Sequence, residues 1–287
     1  MLYSRIAALH ARLQPRLVGS LSRRRQAQLH RGATYDRLAL LADRYAGAAS
    51  APALSDLTAA ELSVFSQNGE DGVLCEILRR VGTSNSWFVE FGVESGIEGN
   101  CVFLAEVLGW QGLFMDGGTL YPDLERRWAA RPEVRTRRAM VTRENVDELL
   151  DAAGVPEEPD VVSIDVDGND LYLWEAMRRR PRVLIIEYNG SLSPTPDVRL
   201  AQPYSTRPWD GTDRFGASLG ALEAVSARKG YVLVYSELAG VNAFFVRREL
   251  ADGLPAGDAV RRRASNIFLS GHAHRRSRRP GGFVTID

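Results

Sequence analysis

The stretch Trp87-Phe88-Val89-Glu90-Phe91-Gly92-Val93-Glu94-Ser95-Gly96 decides the interpretation of this chain. An apolar run that ends near an acid and two glycines is typical of a parallel strand that leads into a ligand-binding turn. Glycine suits such a turn because it adopts conformations that a Cβ disfavours and lets a ligand approach closely. The spacing is Gly-x-x-x-Gly and differs from the Gly-x-Gly-x-x-Gly of dinucleotide-binding proteins, so this stretch alone predicts a ligand cleft without identifying the ligand.

Strands and helices alternate around this stretch. Parallel strands are predicted over residues 88–91, 112–115, 138–141, 160–164 and 183–186. Apolar strands that alternate with helices indicate a parallel sheet covered on both faces. Two later strands, at residues 231–235 and 243–246, are joined by a connection too short for a crossover helix, so they are expected to form an antiparallel hairpin. The predicted fold class is therefore α/β, with a doubly wound, mostly parallel sheet that ends in an antiparallel hairpin.

Basic residues are concentrated at the two ends of the chain. Residues 1–35 contain seven arginines and no acid, and residues 261–287 contain seven arginines and one acid. Apolar residues recur every three or four positions from Leu2 to Leu21, which is the period of a helix face. The expected parts are a helical basic arm over 1–50, a sheet domain over 51–250 and an arginine-rich tail over 251–287. The arm is a candidate contact for a homo-oligomer.

Composition excludes several classes of protein. The chain has 287 residues, of which 45% are hydrophobic, enough for a large core. It has no apolar run near about 18 residues and no apolar leader with a small-residue cleavage site, so a cytoplasmic location without a transmembrane segment is expected. Two cysteines are too few for a disulfide framework. The chain has a formal net charge of zero, and its two ends carry +7 and +6, so residues 36–260 carry −13. A body this acidic does not suit nucleic acid, so the expected partner is a small molecule.

Acidic residues follow the predicted strands at their carboxyl ends, where ligands bind in open α/β sheets. Glu90 and Glu94 flank the first glycine of the turn, where a carboxylate suits a cationic amino acid group or a sulfonium. Asp116 comes 24 residues after Gly92, at a position where an acid often accepts hydrogen bonds from ribose hydroxyls. The alternative is that these acids are ordinary turn or helix-capping residues.

A second group of polar residues follows the fourth and fifth strands, in Asp165-Val166-Asp167-Gly168-Asn169-Asp170 and Glu187-Tyr188-Asn189. Carboxylates crowded at neighbouring strand ends repel each other unless a cation lies between them. Oxygen ligands from Asp165, Glu187 and Asn189 would hold Mg²⁺ or another divalent cation. In the alternative, residues 167–170 shape a turn and cap the next helix, and Asp165 contacts the cofactor or substrate directly.

Histidine is absent between His30 and His272, which excludes a histidine base in the sheet domain. A reacting hydroxyl would then lose its proton to a carboxylate, with the help of a metal, or to Lys229, the only lysine of the chain. Asp165 and Asp167 are the first candidates for the catalytic residues.

Candidate substrate residues lie in the polar segments that follow these strands. Tyr188, Tyr204 and Trp209 have side chains that stack on sugar or aromatic rings, unless they only pack their loop. Asp170 is assigned to the same acceptor site.

Several motifs together resemble the FkbM-like methyltransferases over about residues 60–250. They are Ser66-Gln67 with Glu70-Asp71, Val89-Glu90-Phe91-Gly92, Asn100, Gly109-Trp110-Gln111-Gly112, Ile164 to Asp170, Glu187-Tyr188-Asn189, Gly216-Ala217-Ser218-Leu219 and Asn242-Ala243-Phe244-Phe245-Val246. The resemblance implies a Rossmann-like class I fold that uses S-adenosyl-L-methionine to methylate hydroxyls of sugars or secondary metabolites.

The resemblance also implies site residues. The expected cofactor-binding residues are Glu90, Gly92, Glu94, Gly96, Asn100 and Asp116. Asp165 matches the strand end that approaches the methyl-transfer centre. Relatives usually have Asp-x-Glu-Gly at the fourth strand, whereas this chain has Asp165-Val166-Asp167-Gly168, so a catalytic role does not carry over directly.

Two other functions remain open at this point. The pair Asp165 and Asp167 has the Asp-x-Asp spacing of the metal clamp in nucleotide-sugar glycosyltransferases. A non-catalytic binding protein that kept the fold is the third hypothesis. Binding of S-adenosylmethionine or of a nucleotide sugar separates these hypotheses.

Overall fold

The computed structural model describes residues 36–45, 56–207, 209–266 and 282–287. The chain divides into two units, Met1–Asp43 and Arg44–Asp287. Residues 36–43 of the first unit are helical. The part of the predicted helical arm before residue 36 lies outside the described residues.

The second unit alternates helices and strands along the chain. Its α-helices are α1 (Glu70–Val81), α2 (Val102–Glu106), α3 (Tyr121–Trp128), α4 (Val146–Ala152), α5 (Asp170–Ala176) and α6 (Leu219–Arg228). Its strands are β1 (Trp87–Phe91), β2 (Gln111–Asp116), β3 (Val134–Arg138), β4 (Val161–Ile164), β5 (Val183–Glu187), β6 (Leu200–Ala201), β7 (Tyr231–Ser236), β8 (Asn242–Arg247) and β9 (Val284–Thr285).

Seven of these strands form one sheet in the order β3-β2-β1-β4-β5-β8-β7. The strands β1 to β5 run parallel, and β8 is antiparallel to both β5 and β7. The sheet therefore has a doubly wound, Rossmann-like topology, with the antiparallel hairpin that the short connection before β8 predicts. The sequence order reverses between the neighbours β1 and β4, and such a reversal opens a crevice at the carboxyl ends of the strands.

The third strand is displaced from its predicted position. It spans Val134–Arg138, whereas the strand was predicted over residues 138–141, of which the apolar residues 139–141 form a loop. The strand lies at the edge of the sheet and pairs only with β2, and Val134 is its one buried residue. An edge strand of this kind does not need the apolar run that a central strand has, so the apolar pattern pointed to the wrong segment.

Helices cover the central strands on both faces, so β1 and β4 are buried along their whole length. On one face, Trp174 and Tyr231 meet edge to face with their ring centroids 5.0 Å apart. A second aromatic group joins Phe114 to Phe88 at 4.9 Å and to Trp128 at 5.0 Å between centroids. Packed aromatic side chains therefore form part of the core around the sheet.

Parts of the arginine-rich tail pack on the sheet domain. The Ser265 backbone N–H donates to the Gly190 carbonyl at 2.7 Å, and the Asn266 N–H donates to the Ala239 carbonyl at 2.8 Å. Farther on, β9 pairs antiparallel with β6. The domain boundaries near residues 50 and 250 stay predictions. Among the described residues, no helix has the length and apolarity that crossing a membrane requires.

Candidate functional site

A cleft of about 1130 Å³ lies at the carboxyl ends of the parallel strands, at the reversal between β1 and β4. It is lined from one side by the β1 and β2 turns and from the other by the ends of β4, β5 and β8. Of the predicted site residues it brings together Glu90, Gly92, Glu94, Asn100, Asp116, Asp165, Asp167, Glu187, Tyr188 and Trp209. The cleft has room for a nucleoside-sized ligand together with a second small molecule.

The two glycines of the first turn have left-handed backbone conformations. Gly92 has φ 78° and Gly96 has φ 69°. A Cβ at Gly92 would lie 1.5 Å from the carbonyl oxygen of Asp165, and one at Gly96 would lie 2.6 Å from Leu124 Cδ1. Gly92 therefore permits the close approach of the β1 turn to the chain leaving β4. Gly96 permits packing against α3 and lies outside the cleft lining.

Asp116 joins the first turn to the second. Its Oδ2 accepts a hydrogen bond from the Glu94 backbone N–H at 2.9 Å, and its Oδ1 accepts one from the Gly118 N–H at 2.6 Å. The side chain of Glu94 is exposed at the cleft rim, and its φ of 51° orients the N–H toward Asp116. The carboxylate of Asp116 is thus held rigidly at the end of β2.

Glu90 lies at the bottom of the cleft beside Asn100. Its two carboxylate oxygens accept the backbone N–H of Asn100 at 2.7 Å and of Cys101 at 3.0 Å. The Asn100 side chain donates to Ser163 Oγ at 3.0 Å, which links the first turn to β4. Burial raises the pKa of Glu90 to about 7, although the two hydrogen bonds act to lower it. The charges of Asp71 and Glu70 add to the rise.

Three carboxylates meet at the ends of β4 and β5. One oxygen from each of Asp165, Asp167 and Glu187 lies within 4.8 Å of the other two. Burial and mutual repulsion raise the pKa of Asp165 and of Glu187 well above their usual range. The Glu187 Oε2 atom is buried and accepts no hydrogen bond from the described residues. This acid trio is a set of hard oxygen donors of the kind that holds a divalent cation.

Asn189 does not join the acid trio, although the sequence placed it among the metal ligands. Its side chain is fully buried, and its amide nitrogen donates to the carbonyls of Asp213 at 2.9 Å and Phe215 at 2.8 Å. Its amide oxygen accepts from the Ser191 N–H at 3.0 Å. Because both ends of the amide are occupied, Asn189 shapes the loop, and Asp167 takes the third place beside the expected pair.

Asp170 supports the loop after β4 instead of lining the acceptor site. It is 1% exposed, and its oxygens accept the backbone N–H of Val166 at 2.8 Å and of Gly168 at 2.9 Å. This is the turn-shaping alternative that the sequence left open. Burial raises the pKa of Asp170 to about 6.

The three aromatic residues occupy different environments. Trp209 lines the cleft, donates its ring N–H to the Thr212 carbonyl at 2.8 Å and packs on Phe215. Tyr188 is 2% exposed, and its hydroxyl donates to the Arg263 carbonyl at 2.7 Å, so its ring does not form an open wall. Tyr204 lies outside the cleft lining and donates to Glu144 Oε2 at 2.6 Å.

Sequence reasoning missed two residues of the cleft. Glu70, the first residue of α1, and Asn242, the first residue of β8, both line it. The Asn242 side-chain nitrogen donates to Glu70 Oε1 at 2.9 Å, across 172 positions of the chain. The signal was present, because both residues belong to motifs of the family resemblance. Position alone suggested only a helix start and a strand start.

An apolar part of the cleft rim was missed as well. Ile97, Leu120 and Met140 line the cleft and are 60%, 41% and 66% exposed. Met140 belongs to the apolar segment that was assigned to the third strand. Its exposure in the loop after β3 gives the rim beside Asp116 an apolar surface.

No protein-family model matches this chain, and no curated protein matches it. Among solved structures it is similar to the N-terminal domain of EvdMO1 with SAH bound, at 17% identity and a TM-score of 0.42, over 64% of this chain and 81% of that one. It is similar to the CMeT domain of the citrinin polyketide synthase, at 10% identity and a TM-score of 0.41, over 64% and 55% of the two chains. A SAM dependent methyltransferase from Aquifex aeolicus matches at 11% identity and a TM-score of 0.38, over 63% and 90%. Identities and scores in this range do not show the family of the chain.

Proposed function

We propose that this protein is an S-adenosylmethionine-dependent O-methyltransferase that acts on a hydroxyl of a sugar or a secondary metabolite. The observation that carries the proposal is the meeting of the acid trio with the glycine turn and Asp116 in one cleft. That cleft lies at the strand-order reversal of a class I methyltransferase sheet, which is where such sheets bind their ligands.

The β1 and β2 side of the cleft fits the methyl donor. Each oxygen of Asp116 accepts one backbone N–H and keeps acceptor capacity for a ribose hydroxyl. Leu120 and Met140 offer apolar surface to the adenine next to it. When bound, the donor supplies a sulfonium methyl group, which the acceptor oxygen takes while the carbon–sulfur bond breaks and its electron pair stays on sulfur.

The acid trio fits a divalent cation such as Mg²⁺. Its donors are all carboxylate oxygens, which suit hard cations, and the buried Glu187 Oε2 has no other partner among the described residues. A cation held there would lower the pKa of a coordinated acceptor hydroxyl. Asp165, Asp167 and Glu187 are therefore the proposed ligands.

Asp165 is the proposed proton acceptor for the acceptor hydroxyl, with Asp167 beside it. Burial and the charges of Asp170 and Asp167 raise the pKa of Asp165 well above its usual range, and a raised pKa makes a carboxylate a better base near neutral pH. The proton of the acceptor hydroxyl would pass to an Asp165 carboxylate oxygen. The protein otherwise contributes proximity, by holding both reactants in one cleft.

The acceptor is proposed to lie against Trp209, on the wall formed by the loop after β6. Trp209 lines the cleft and is partly exposed, and an indole ring is a side chain that stacks on sugar rings. Asn169 fixes this wall to the β4 loop, because its side chain donates to the Ser205 carbonyl at 2.6 Å. Asn169 therefore connects the loop that carries Trp209 to the loop that carries Asp167.

Calorimetric titration tests the proposal. Titrating the full chain with S-adenosylhomocysteine should give one binding site per chain, and titrating it with a UDP-sugar in the presence of Mg²⁺ should give none. The gathering of Asp165 and Asp167 also fits a nucleotide-sugar clamp, so the opposite pair of results would replace the methyltransferase by a glycosyltransferase. Donor binding without methyl transfer to any tested sugar or phenolic acceptor would favour the non-catalytic binding protein.

A further inference from the structure

Glu70, Glu90 and Asn242 line the end of the cleft next to the glycine turn, and we infer that these three residues form a binding site for an alkylammonium group. This inference rests on the proposed function, because the ammonium group in question is that of the amino acid moiety of the methyl donor. None of the three belongs to the acid trio.

The side-chain oxygen of Asn242 lacks a hydrogen-bond donor among the described residues. Asn242 is 4% exposed, and its Oδ1 atom is buried. Its nitrogen donates to Glu70 Oε1 at 2.9 Å, which fixes the orientation of the amide and makes the orphaned atom the oxygen. A buried carbonyl oxygen without a donor costs free energy, and Asn242 lines the cleft, so a ligand can supply the donor.

The two carboxylates beside Asn242 have no basic side chain against them. Glu70 and Glu90 are 1% and 3% exposed, and no arginine or lysine of the described residues pairs with either. The charges that act most strongly on Glu90 are those of Asp71 and Glu70, which are both acidic. Two buried carboxylates with only acidic neighbours are stabilised by a positive charge between them.

The hydrogen-bonding capacity of the three residues matches an ammonium group. Glu90 uses one acceptor position on each oxygen for a backbone N–H, and Glu70 keeps acceptor capacity beyond its bonds to Asn68 and Asn242. Together with the free Asn242 Oδ1, these atoms offer three acceptors from three side chains. An alkylammonium has three N–H donors and no acceptor, so the number of its donors equals the number of these acceptors.

The site also assigns a role to the contact between distant parts of the chain. Glu70 begins α1, and Asn242 begins β8 next to β5, which carries Glu187. The Glu70 to Asn242 hydrogen bond therefore connects the donor end of the cleft to the strand that holds one member of the acid trio. Both residues act as specificity-determining residues for the amino acid part of the donor.

Two ligands separate this site from the rest of the cleft. S-adenosylhomocysteine contains the ammonium group, whereas 5′-methylthioadenosine has the same nucleoside and thioether sulfur without it. In calorimetry, Glu70→Gln and Asn242→Ala should each weaken the binding of S-adenosylhomocysteine by about 10- to 100-fold, which is the loss expected for a charge-assisted hydrogen bond. The same variants should change the affinity for 5′-methylthioadenosine by less than about 2-fold.

Matched controls come from residues next to the site. Neither Asn68 nor Glu237 lines the cleft. Asn68→Ala removes only a long side-chain contact of 3.4 Å to Glu70 and keeps the backbone N–H bond at 2.8 Å. Glu237→Gln neutralises a buried acid and keeps an amide oxygen that can accept the Asn242 backbone N–H. Both controls should bind both ligands as the wild type does. Thermal melting of every variant checks that each is folded.

The outcomes are distinguishable. If the Glu70→Gln and Asn242→Ala variants lose affinity for both ligands equally, or for neither, the ammonium site is overturned and the proposed function is unaffected. A wild-type protein that binds the two ligands with equal affinity also overturns it, because the amino acid part would then contribute nothing. A folded wild-type protein that binds neither ligand overturns the proposed function itself.

Discussion

Replacing Gly92 by alanine tests the packing that positions the site. The new Cβ would lie 1.5 Å from the Asp165 carbonyl oxygen, and a contact of that length cannot be kept. The left-handed conformation of φ 78° costs a residue with a Cβ about 1–2 kcal/mol. Moving the chain after β4 away from β1 adds about 1–3 kcal/mol, as overpacking of a core does. The expected loss in the free energy of unfolding is therefore about 2–5 kcal/mol.

The matched control is Gly109→Ala. Gly109 has φ 66°, but apart from its chain neighbours no atom of the described residues lies within 4 Å of the Cβ that alanine would add, so the conformational cost of about 1–2 kcal/mol applies without the overpacking cost. Urea unfolding of the wild type and of both variants, followed by circular dichroism, measures the difference. Equal losses for Gly92→Ala and Gly109→Ala would refute the close approach of the β1 turn to Asp165. A larger loss for Gly92→Ala should be accompanied by weaker Mn²⁺ binding, because the displaced chain carries Asp165.

Three further predictions follow from the buried acids. Glu187→Gln should raise the melting temperature of the metal-free protein, because burial and the charge of Asp165 raise the pKa of Glu187 and make its ionised form unfavourable. The same variant should abolish Mn²⁺ binding measured by calorimetry. Unchanged Mn²⁺ binding would remove Glu187 from the ligand set. Burial raises the pKa of Glu237 to about 8, with the charge of Glu70 contributing, so the folded state holds a proton that the unfolded state releases near the ordinary glutamate pKa of 4.5. The stability from this group is thus present below about pH 4.5 and is lost as the pH rises toward 8, so Glu237→Gln should flatten urea-derived stability between pH 5 and 8; a slope equal to that of the wild type would contradict it. Asp116→Ala should weaken the binding of both S-adenosylhomocysteine and 5′-methylthioadenosine by about 1–3 kcal/mol in calorimetry. Unchanged affinity for both ligands would remove Asp116 from the ribose site.

The central strands were predictable because burial on both faces requires continuous apolar residues. β1, β4 and β5 have that pattern, and the structure confirms all three with bounds that differ by one residue at most. The edge strand β3 was not predictable in the same way, since four of its five residues are not buried. The apolar residues that follow β3 line the cleft instead of forming a strand.

The acids of the site were predictable by position, and their partners were not. The carboxyl ends of neighbouring parallel strands meet in space, so Asp165 and Glu187 were expected to lie together, and they do. The third member depends on loop conformation. Asp167 adopts φ 56°, which a sequence does not reveal for a non-glycine residue, and Asn189 is held by carbonyls of residues more than twenty positions later. Contacts between distant segments, such as Glu70 with Asn242, are invisible to any local pattern.

Binding of the proposed cationic ligands would explain why the cleft contains so many acids. Glu90, Asp165 and Glu187 all have raised pKa values, so each is destabilising when it is ionised without a ligand beside it. A divalent cation on the acid trio and a cationic donor beside Glu90 would relieve both groups, and ligands that bind only the folded state stabilise it by mass action. On the proposed function, methyl transfer removes the sulfonium charge and leaves the ammonium group, so the product carries one positive charge fewer than the donor in a cleft rich in carboxylates. The same carboxylates would then favour donor over product in a cleft that must bind one and release the other.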